Sequence, residues 1–112
     1  MKLPTYQRVA VFGGVYSNYL ALEALLDRCS ELEVDAIFCL GDIGGFGPFP
    51  NRSFPFLQNK SIQTIAGNYD ISVAAGLEDC GCGYTDPRDN HFAQISYDYT
   101  FQNTSAVHKK WL

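Results

Sequence analysis

The sequence predicts an α/β fold that begins with parallel strands in a βαβαβ unit and continues with helices. Three short apolar runs, each followed by glycine, have the β-branched and aromatic composition of strands that are buried on both faces. A helical repeat of apolar residues lies between the first and second runs. Strands that alternate with helices in this way form a parallel sheet.

The first half of the chain supplies the strands, which are predicted over residues 8–12, 35–40 and 62–66. A helix over 18–33 joins the first two strands, and Ser17 or Asn18 can cap its first N–H groups. The apolar face of this helix is formed by Leu22, Leu25, Leu26, Cys29 and Leu32. A loop rich in glycine and proline then precedes a short helix over 53–59, which Ser53 is predicted to cap.

The second half of the chain is predicted to be loop and helix. Asp86 before a proline, followed by Asp89, marks the start of a long helix, because a capping oxygen and an acid in the first turn both stabilise a helix N-terminus. Its apolar face is predicted to contain Phe92, Ile95, Ser96 and Tyr99. A last helix is predicted to be capped by Thr104, with Val107 and Trp111 on one side.

Composition limits the classes of function. The chain has 112 residues and a net charge of -4, without a run of basic residues, so broad nucleic-acid binding is not expected. No uninterrupted apolar stretch approaches the length of a membrane span, and the start of the chain has no apolar signal region, so a cytoplasmic location is predicted. In a reducing compartment, Cys29 and Cys39 are expected to be small core residues.

Three loops leave the carboxyl ends of the predicted strands, where parallel sheets bind ligands. They read GGVYSN, GDIGGFGP and GNYD, and we expect them to converge. Asp42 and Asn68 each follow a glycine and offer oxygen ligands for a hard metal ion. The alternative is that both residues only shape turns. The glycines of the first loop either cradle a phosphate on backbone N–H groups or mark the absence of a functional side chain.

These motifs resemble the calcineurin-like metallophosphoesterases, in particular a small bacterial and archaeal phosphodiesterase-like group. GD followed by IGGFGPFPN, then GNYD, look like the GD and GN(H)D motifs of that family, and VFGGVYSNYLALEALL resembles its strand, D-x-H-S-N turn and helix. The resemblance covers about the first 75 residues of the chain. It implies that residues 1–112 are a single domain, the N-terminal half of an α/β/β/α sandwich that is truncated at its C-terminus.

The resemblance also implies roles for individual residues. Members of the family hydrolyse phosphomonoesters or phosphodiesters with two divalent ions, such as Mn, Mg, Fe or Zn. Asp42 would bridge the two metals, and Asn68 would bind one of them. Asp70 would orient Tyr69, which stands where the family usually has a catalytic histidine. Two positions depart from the pattern.

The departures lie in the first motif. Gly14 and Tyr16 stand where the family has an Asp and a His that bind metal. Two hypotheses therefore remain: a phosphoesterase with an altered metal site, weak or inactive as this chain alone, or an inactive binding or scaffold module of the same fold. The first is favoured by the retained GD and GN motifs, and the second by the two replacements. A nucleotide cradle is the weakest hypothesis, because no GKS, GKT or GxGxxG follows the glycines.

The resemblance predicts two kinds of partner. A small phosphoester or a nucleotide is the expected ligand. Half of a sandwich would leave one sheet face uncovered, so we expect a second copy of the chain, or a missing C-terminal half, to cover it.

The segment LEDCGCGYTDPRDNH raises the question of zinc. Cys80, Cys82 and either His91 or a carboxylate could form a site, but a CxC pair with one distant His is a weak signature. The alternative is a glycine-rich turn with packed or idle thiols and His91 on the surface of a helix. By analogy with the family, this loop is the candidate for recognition of a specific substrate.

Overall fold

The structure is a computed structural model that describes residues 3–59 and 61–112. It has the predicted α/β fold, with three parallel strands in the order β1-β2-β3. Val9 pairs with Ala36 in the first ladder, and Ile37 pairs with Ile62 in the second. The elements of this half are β1 (Val9–Phe12), α1 (Tyr19–Glu31), β2 (Ala36–Cys39), α2 (Phe54–Leu57) and β3 (Ile62–Thr64).

Three further helices follow the sheet: α3 (Asn68–Ala75), α4 (Pro87–Asn103) and α5 (Ala106–Trp111). The GNYD motif, expected to be a loop, forms the first turn of α3 instead. The helix ends at Gly76, which has a left-handed φ of 67° that a residue with a Cβ adopts at a cost. Asp86 caps α4 as predicted, since its carboxylate accepts a hydrogen bond from the Arg88 N–H.

The core is divided into two clusters. The first packs α1 and α2 on one face of the sheet, and its largest fully buried side chains are Ile43, Phe54 and Leu57. The second lies between α3 and α4, around Tyr69 and Tyr97. Cys29 and Cys39 are free and buried, as predicted. The Ser53 side chain makes no capping hydrogen bond to α2.

Two predictions for the C-terminal helices are wrong. The buried residues of α4 are Ala93, Tyr97 and Thr100, whereas Phe92, Ile95 and Tyr99 are exposed. The Tyr97 hydroxyl is positioned to bond the carbonyls of Ser72 and Leu77, which holds that face of α4 against α3.

The cap of α5 is Ser105 rather than Thr104. The Thr104 hydroxyl donates to the Thr100 carbonyl, so it serves the end of α4, while the Ser105 hydroxyl accepts from the His108 N–H. Trp111 packs edge-on against Phe54, whereas Val107 is exposed. None of the described helices is long and apolar enough to cross a membrane.

Candidate functional site

The three loops at the carboxyl ends of the strands converge, as predicted. The first loop lies on the second through backbone hydrogen bonds: the N–H groups of Gly14, Tyr16 and Ser17 donate to the carbonyls of Gly41, Asp42 and Ile43. The first-loop N–H groups expected to cradle a phosphate are therefore occupied, which weakens the nucleotide hypothesis further. A cavity of about 130 Å³ lies where the loops meet, lined by Tyr16, Asp42, Phe46, Asn68, Tyr69, Cys82 and Tyr84.

Asp42 is half-buried in this cavity and has a left-handed φ of 56°. Its Oδ1 accepts a hydrogen bond of 3.1 Å from the Tyr69 N–H at the start of α3. Gly67 makes this approach possible, because a Cβ at that position would overlap the Asp42 carboxylate. The glycine before Asn68 thus admits the Asp42 side chain, where the sequence suggested an ion or a phosphate.

Asp70 is buried, with 1% of its surface exposed, and its carboxylate links two loops. It accepts hydrogen bonds from the N–H groups of Asp42 at 2.7 Å, Ile43 at 2.9 Å and Gly67 at 2.9 Å. Desolvation raises the pKa of Asp70 above its usual value, while the three N–H groups act in the opposite direction. The contacts found for Asp70 are with the backbone, and among the described residues it makes no hydrogen bond to the Tyr69 side chain that it was predicted to orient.

Tyr69 is a core residue in this structure, with 1% of its surface exposed. Its ring packs edge-on against Tyr97 at a centroid distance of 5.7 Å, and a Cβ on Gly45 would overlap it. Its hydroxyl is buried near the side chains of Ser96 and Thr100 but makes no hydrogen bond of normal geometry in the described part of the chain. Desolvation raises the pKa of Tyr69, so this hydroxyl is a neutral donor and a poor base. A catalytic role for Tyr69 stays a prediction.

Asn68 connects the cavity to the cysteine loop. Its Nδ2 donates to the carbonyls of Cys80 at 3.1 Å and Gly81 at 3.2 Å. Cys80 and Cys82 are joined in a disulfide, so neither thiol is free to bind zinc in this structure. His91 is exposed on α4, as predicted.

The Tyr16 ring occupies the space beside Gly14 in the first loop. A Cβ on Gly14 would lie 2.6 Å from Cε2 of the Tyr16 ring, so the ring fills the space that a side chain at position 14 would use. Tyr16 itself has a φ of 48°, which is uncommon for a bulky residue. A side chain at position 14 would therefore require the Tyr16 ring to move and would adopt a strained left-handed φ of 67°.

Comparison with known proteins identifies the family. The sequence pattern of the calcineurin-like phosphoesterases matches residues 7–110. The chain belongs to the calcineurin-like phosphoesterase family. A metallophosphoesterase from Sphaerobacter thermophilus has a similar crystal structure, with a TM-score of 0.68 and 28% identity over 96% of this chain. An uncharacterised protein of Methanocaldococcus jannaschii is 35% identical over 65 residues, or 58% of this chain.

The chain spans only part of these relatives: 40% of the length of the Sphaerobacter protein and 27% of the Methanocaldococcus protein. The α/β fold expected from the family resemblance is confirmed over the described residues. The Sphaerobacter protein is described as a metallophosphoesterase, and that description applies to a longer chain.

Calcineurin-like phosphoesterases are typically metal-dependent, but the side chains of this site do not fit a two-metal centre. Asp42 is the one carboxylate that lines the cavity, and Asn68, whose amino group donates to the cysteine loop, would add a single amide oxygen. Among residues 3–59 and 61–112, no three His, Cys, Asp or Glu side chains are grouped so that they could hold a metal ion. Two divalent ions need several more oxygen or nitrogen ligands than this.

Two residues of the cavity were not singled out from the sequence. Phe46 follows the glycines of the second loop, and Tyr84 follows the disulfide. The glycine-rich composition around each residue signalled a loop but gave no indication that both rings reach the same cavity. Only the closeness of the loops in the fold brings them together.

Proposed function

We propose that this chain is a binding module of the calcineurin-like phosphoesterase fold and that its own residues do not hydrolyse phosphoesters. The observation that carries the proposal is the Tyr16 ring, which lies in the space next to Gly14 where this family offers its first metal ligands. One carboxylate in the cavity cannot offset the charge of two divalent ions. Without those ions, the cavity lacks the charge that holds and activates a phosphoester.

The second candidate is a phosphoesterase whose metal site is completed by groups outside this chain. It is favoured by Asp42 and Asn68, the retained family positions, which line the same cavity. In that case a small phosphomonoester or phosphodiester, or a nucleotide, would be the substrate. Ligands from another polypeptide would have to replace both the Asp and the His of the first motif.

The two candidates are distinguished by metal content and turnover. We expect the purified chain to bind no stoichiometric Mn²⁺ and to leave bis-p-nitrophenyl phosphate unhydrolysed above the rate in buffer. Asp42→Asn is the test variant, and Asp27→Asn, on the exposed surface of α1, is the charge-matched control. Two bound ions per chain, together with turnover that Asp42→Asn abolishes and Asp27→Asn preserves, would overturn the proposal.

The other face of the sheet supports a second part of the proposal. Phe12 and Ile37 pack on the helix-covered face, so the alternating Val9 and Val11 lie on the opposite face, where 45% and 57% of their surfaces are exposed. We propose that polypeptide equivalent to the remainder of the longer relatives covers this face, because the chain spans 40% of the Sphaerobacter structure. A concentration-dependent dimer in ultracentrifugation would instead assign the face to a second copy.

Charge substitutions on the two faces give a direct test. A lysine at Val11 should cost the isolated chain less than about 0.5 kcal/mol of unfolding free energy, because the side chain is already hydrated. Ile37→Lys, on the covered face, is the matched control and should unfold the chain. Equal destabilisation by both substitutions would contradict an open face.

A further inference from the structure

The cavity that replaces the metal site has aromatic side chains on several sides. Tyr16, Phe46 and Tyr84 come from three different loops and line it, with 41%, 49% and 42% of their surfaces exposed. The Tyr16 and Phe46 rings meet at 75° with their centroids 5.6 Å apart, and Phe46 meets Tyr69 at 57° and 5.9 Å. Rings at such angles form a corner, in contrast to a flat stack.

The charge in this cavity is negative. Asp42 contributes a carboxylate, and no Lys, Arg or His is among the lining residues. Oδ1 of Asp42 accepts the Tyr69 N–H, and Oδ2 receives no hydrogen bond from a described residue, so it is available to a ligand. A phosphate group would be repelled here, whereas a positively charged group would be attracted by the carboxylate and by any aromatic ring whose face it meets.

The size of the cavity and the acceptors in its lining bear on the kind of cation. A volume of about 130 Å³ is well below the roughly 300–1,000 Å³ of sites that enclose a drug-sized ligand, so a single headgroup fits. A primary ammonium group carries three N–H donors, whereas Oδ2 of Asp42 is the one carboxylate oxygen of the lining that receives no hydrogen bond from a described residue. A quaternary ammonium group carries none, and it is the cation that aromatic cages recognise.

We propose that this cavity binds a quaternary ammonium group, with Asp42 as its counter-ion and Tyr16, Phe46 and Tyr84 as the surrounding aromatic cage. The inference rests on the proposed function, since it gives the binding module its ligand class. It requires no metal and no change in the backbone of the loops.

The first test is titration of the purified chain with choline, followed by nuclear magnetic resonance, with 3,3-dimethylbutan-1-ol as a neutral probe of the same shape. We expect saturable shifts of cavity residues with choline and binding at least about tenfold weaker for the neutral probe. Tyr84→Leu should weaken choline binding by about 3- to 10-fold through loss of one cage wall. Equal binding of the two probes, or no saturable shift with choline, would overturn the proposal.

Two further variants distinguish an effect on choline binding from an effect on the stability of the fold. Asp42→Asn keeps an oxygen for the Tyr69 N–H but removes the charge, so choline binding should weaken while the unfolding curve changes little. Tyr6→Leu replaces a tyrosine that does not line the cavity and should leave binding unchanged. Weakening by Tyr6→Leu as large as that by Tyr84→Leu would contradict the cage.

A trimethyl-lysine peptide distinguishes the source of the group. Tighter binding of the peptide than of choline would assign the cavity to a modified protein, and the reverse would assign it to a free small molecule. Failure of this inference is distinguishable from failure of the proposed function. Metal-dependent turnover would refute the latter, whereas absent choline shifts without turnover would refute only the former.

Discussion

Replacing the buried Asp70 tests the link between the second and third loops. In Asp70→Asn, the amide oxygen can take the position of only one of the two carboxylate oxygens. The amino group takes the other position, where it faces a backbone N–H donor. If the oxygen takes the Oδ2 position, it keeps the N–H groups of Asp42 and Gly67 and leaves that of Ile43 unpaired. A buried donor without a partner costs about 1–3 kcal/mol, and the new amino group is a second one.

The expected loss of unfolding free energy is therefore about 2–4 kcal/mol at neutral pH. For a domain of this size that corresponds to a fall in melting temperature of about 10–20 °C. Urea unfolding followed by circular dichroism measures the free energy, and Asp27→Asn is the control for loss of a carboxylate on the surface. A change below about 0.5 kcal/mol at constant m-value would refute the structural role of Asp70.

The pH dependence of the unfolding free energy, compared between the wild type and Asp70→Asn, tests whether folding raises or lowers the pKa of Asp70. Because burial raises the folded pKa above 3.8, the folded state holds the proton more tightly than the unfolded state. The proton-linked part of the Asp70 contribution is therefore fully present below pH 3.8 and is lost as the pH rises through the folded pKa, while the hydrogen bonds from the three N–H groups remain. The free-energy gap between the wild type and Asp70→Asn should narrow over that interval. A gap that widens would show that the three N–H groups outweigh desolvation.

Three other predictions follow from buried contacts. Gly67→Ala should cost about 1–3 kcal/mol of unfolding free energy, because the new Cβ overlaps the Asp42 carboxylate. Tyr69→Phe should stabilise the chain by about 1 kcal/mol, because it removes a buried hydroxyl without a partner. Desolvation lowers the pKa of His108 below 6.5, so stability should be lost as the pH falls from 6.5 through the folded pKa, with Trp111 fluorescence as the reporter of α5.

Each of the three has a contradicting outcome. A neutral Gly67→Ala would mean that the two loops separate easily. Destabilisation by Tyr69→Phe in thermal melts would mean that the hydroxyl has a partner such as a bound water. His108 stacks on Phe54 at 4.1 Å, and His108→Gln removes the titration, so a fluorescence change with pH that persists in this variant would exclude His108 as its cause.

Local sequence signals predicted most of the fold. The strands and α1 were predicted because apolar periodicity is a property of neighbouring residues. The start of α4 was predicted because Asp86, the proline after it and Asp89 together are typical of a helix N-terminus. The buried face of α4 was not predicted correctly, because packing against α3 determines which of its residues are buried. The Tyr97 hydroxyl lies within hydrogen-bond distance of two carbonyls near the end of α3, a contact that no spacing within α4 could indicate.

The place of the cavity in the fold was predicted, but several of its lining side chains and their burial were not. Convergence of the three loops follows from a parallel sheet, and Asp42 and Asn68 line the cavity as expected. The burial of Tyr69 could not be predicted, because it depends on the space under Gly45. The disulfide of the cysteine loop was missed as well, since the predicted compartment argued for free thiols.

The contact between Gly14 and the Tyr16 ring limits how a metal motif could be engineered into the first loop. Restoring an acid at position 14 alone would drive its Cβ into the ring, and restoring a histidine at position 16 alone would supply a single ligand with no neighbour. A first metal motif built into this chain therefore needs substitutions at both positions, and the Tyr16 ring has to leave the space beside position 14.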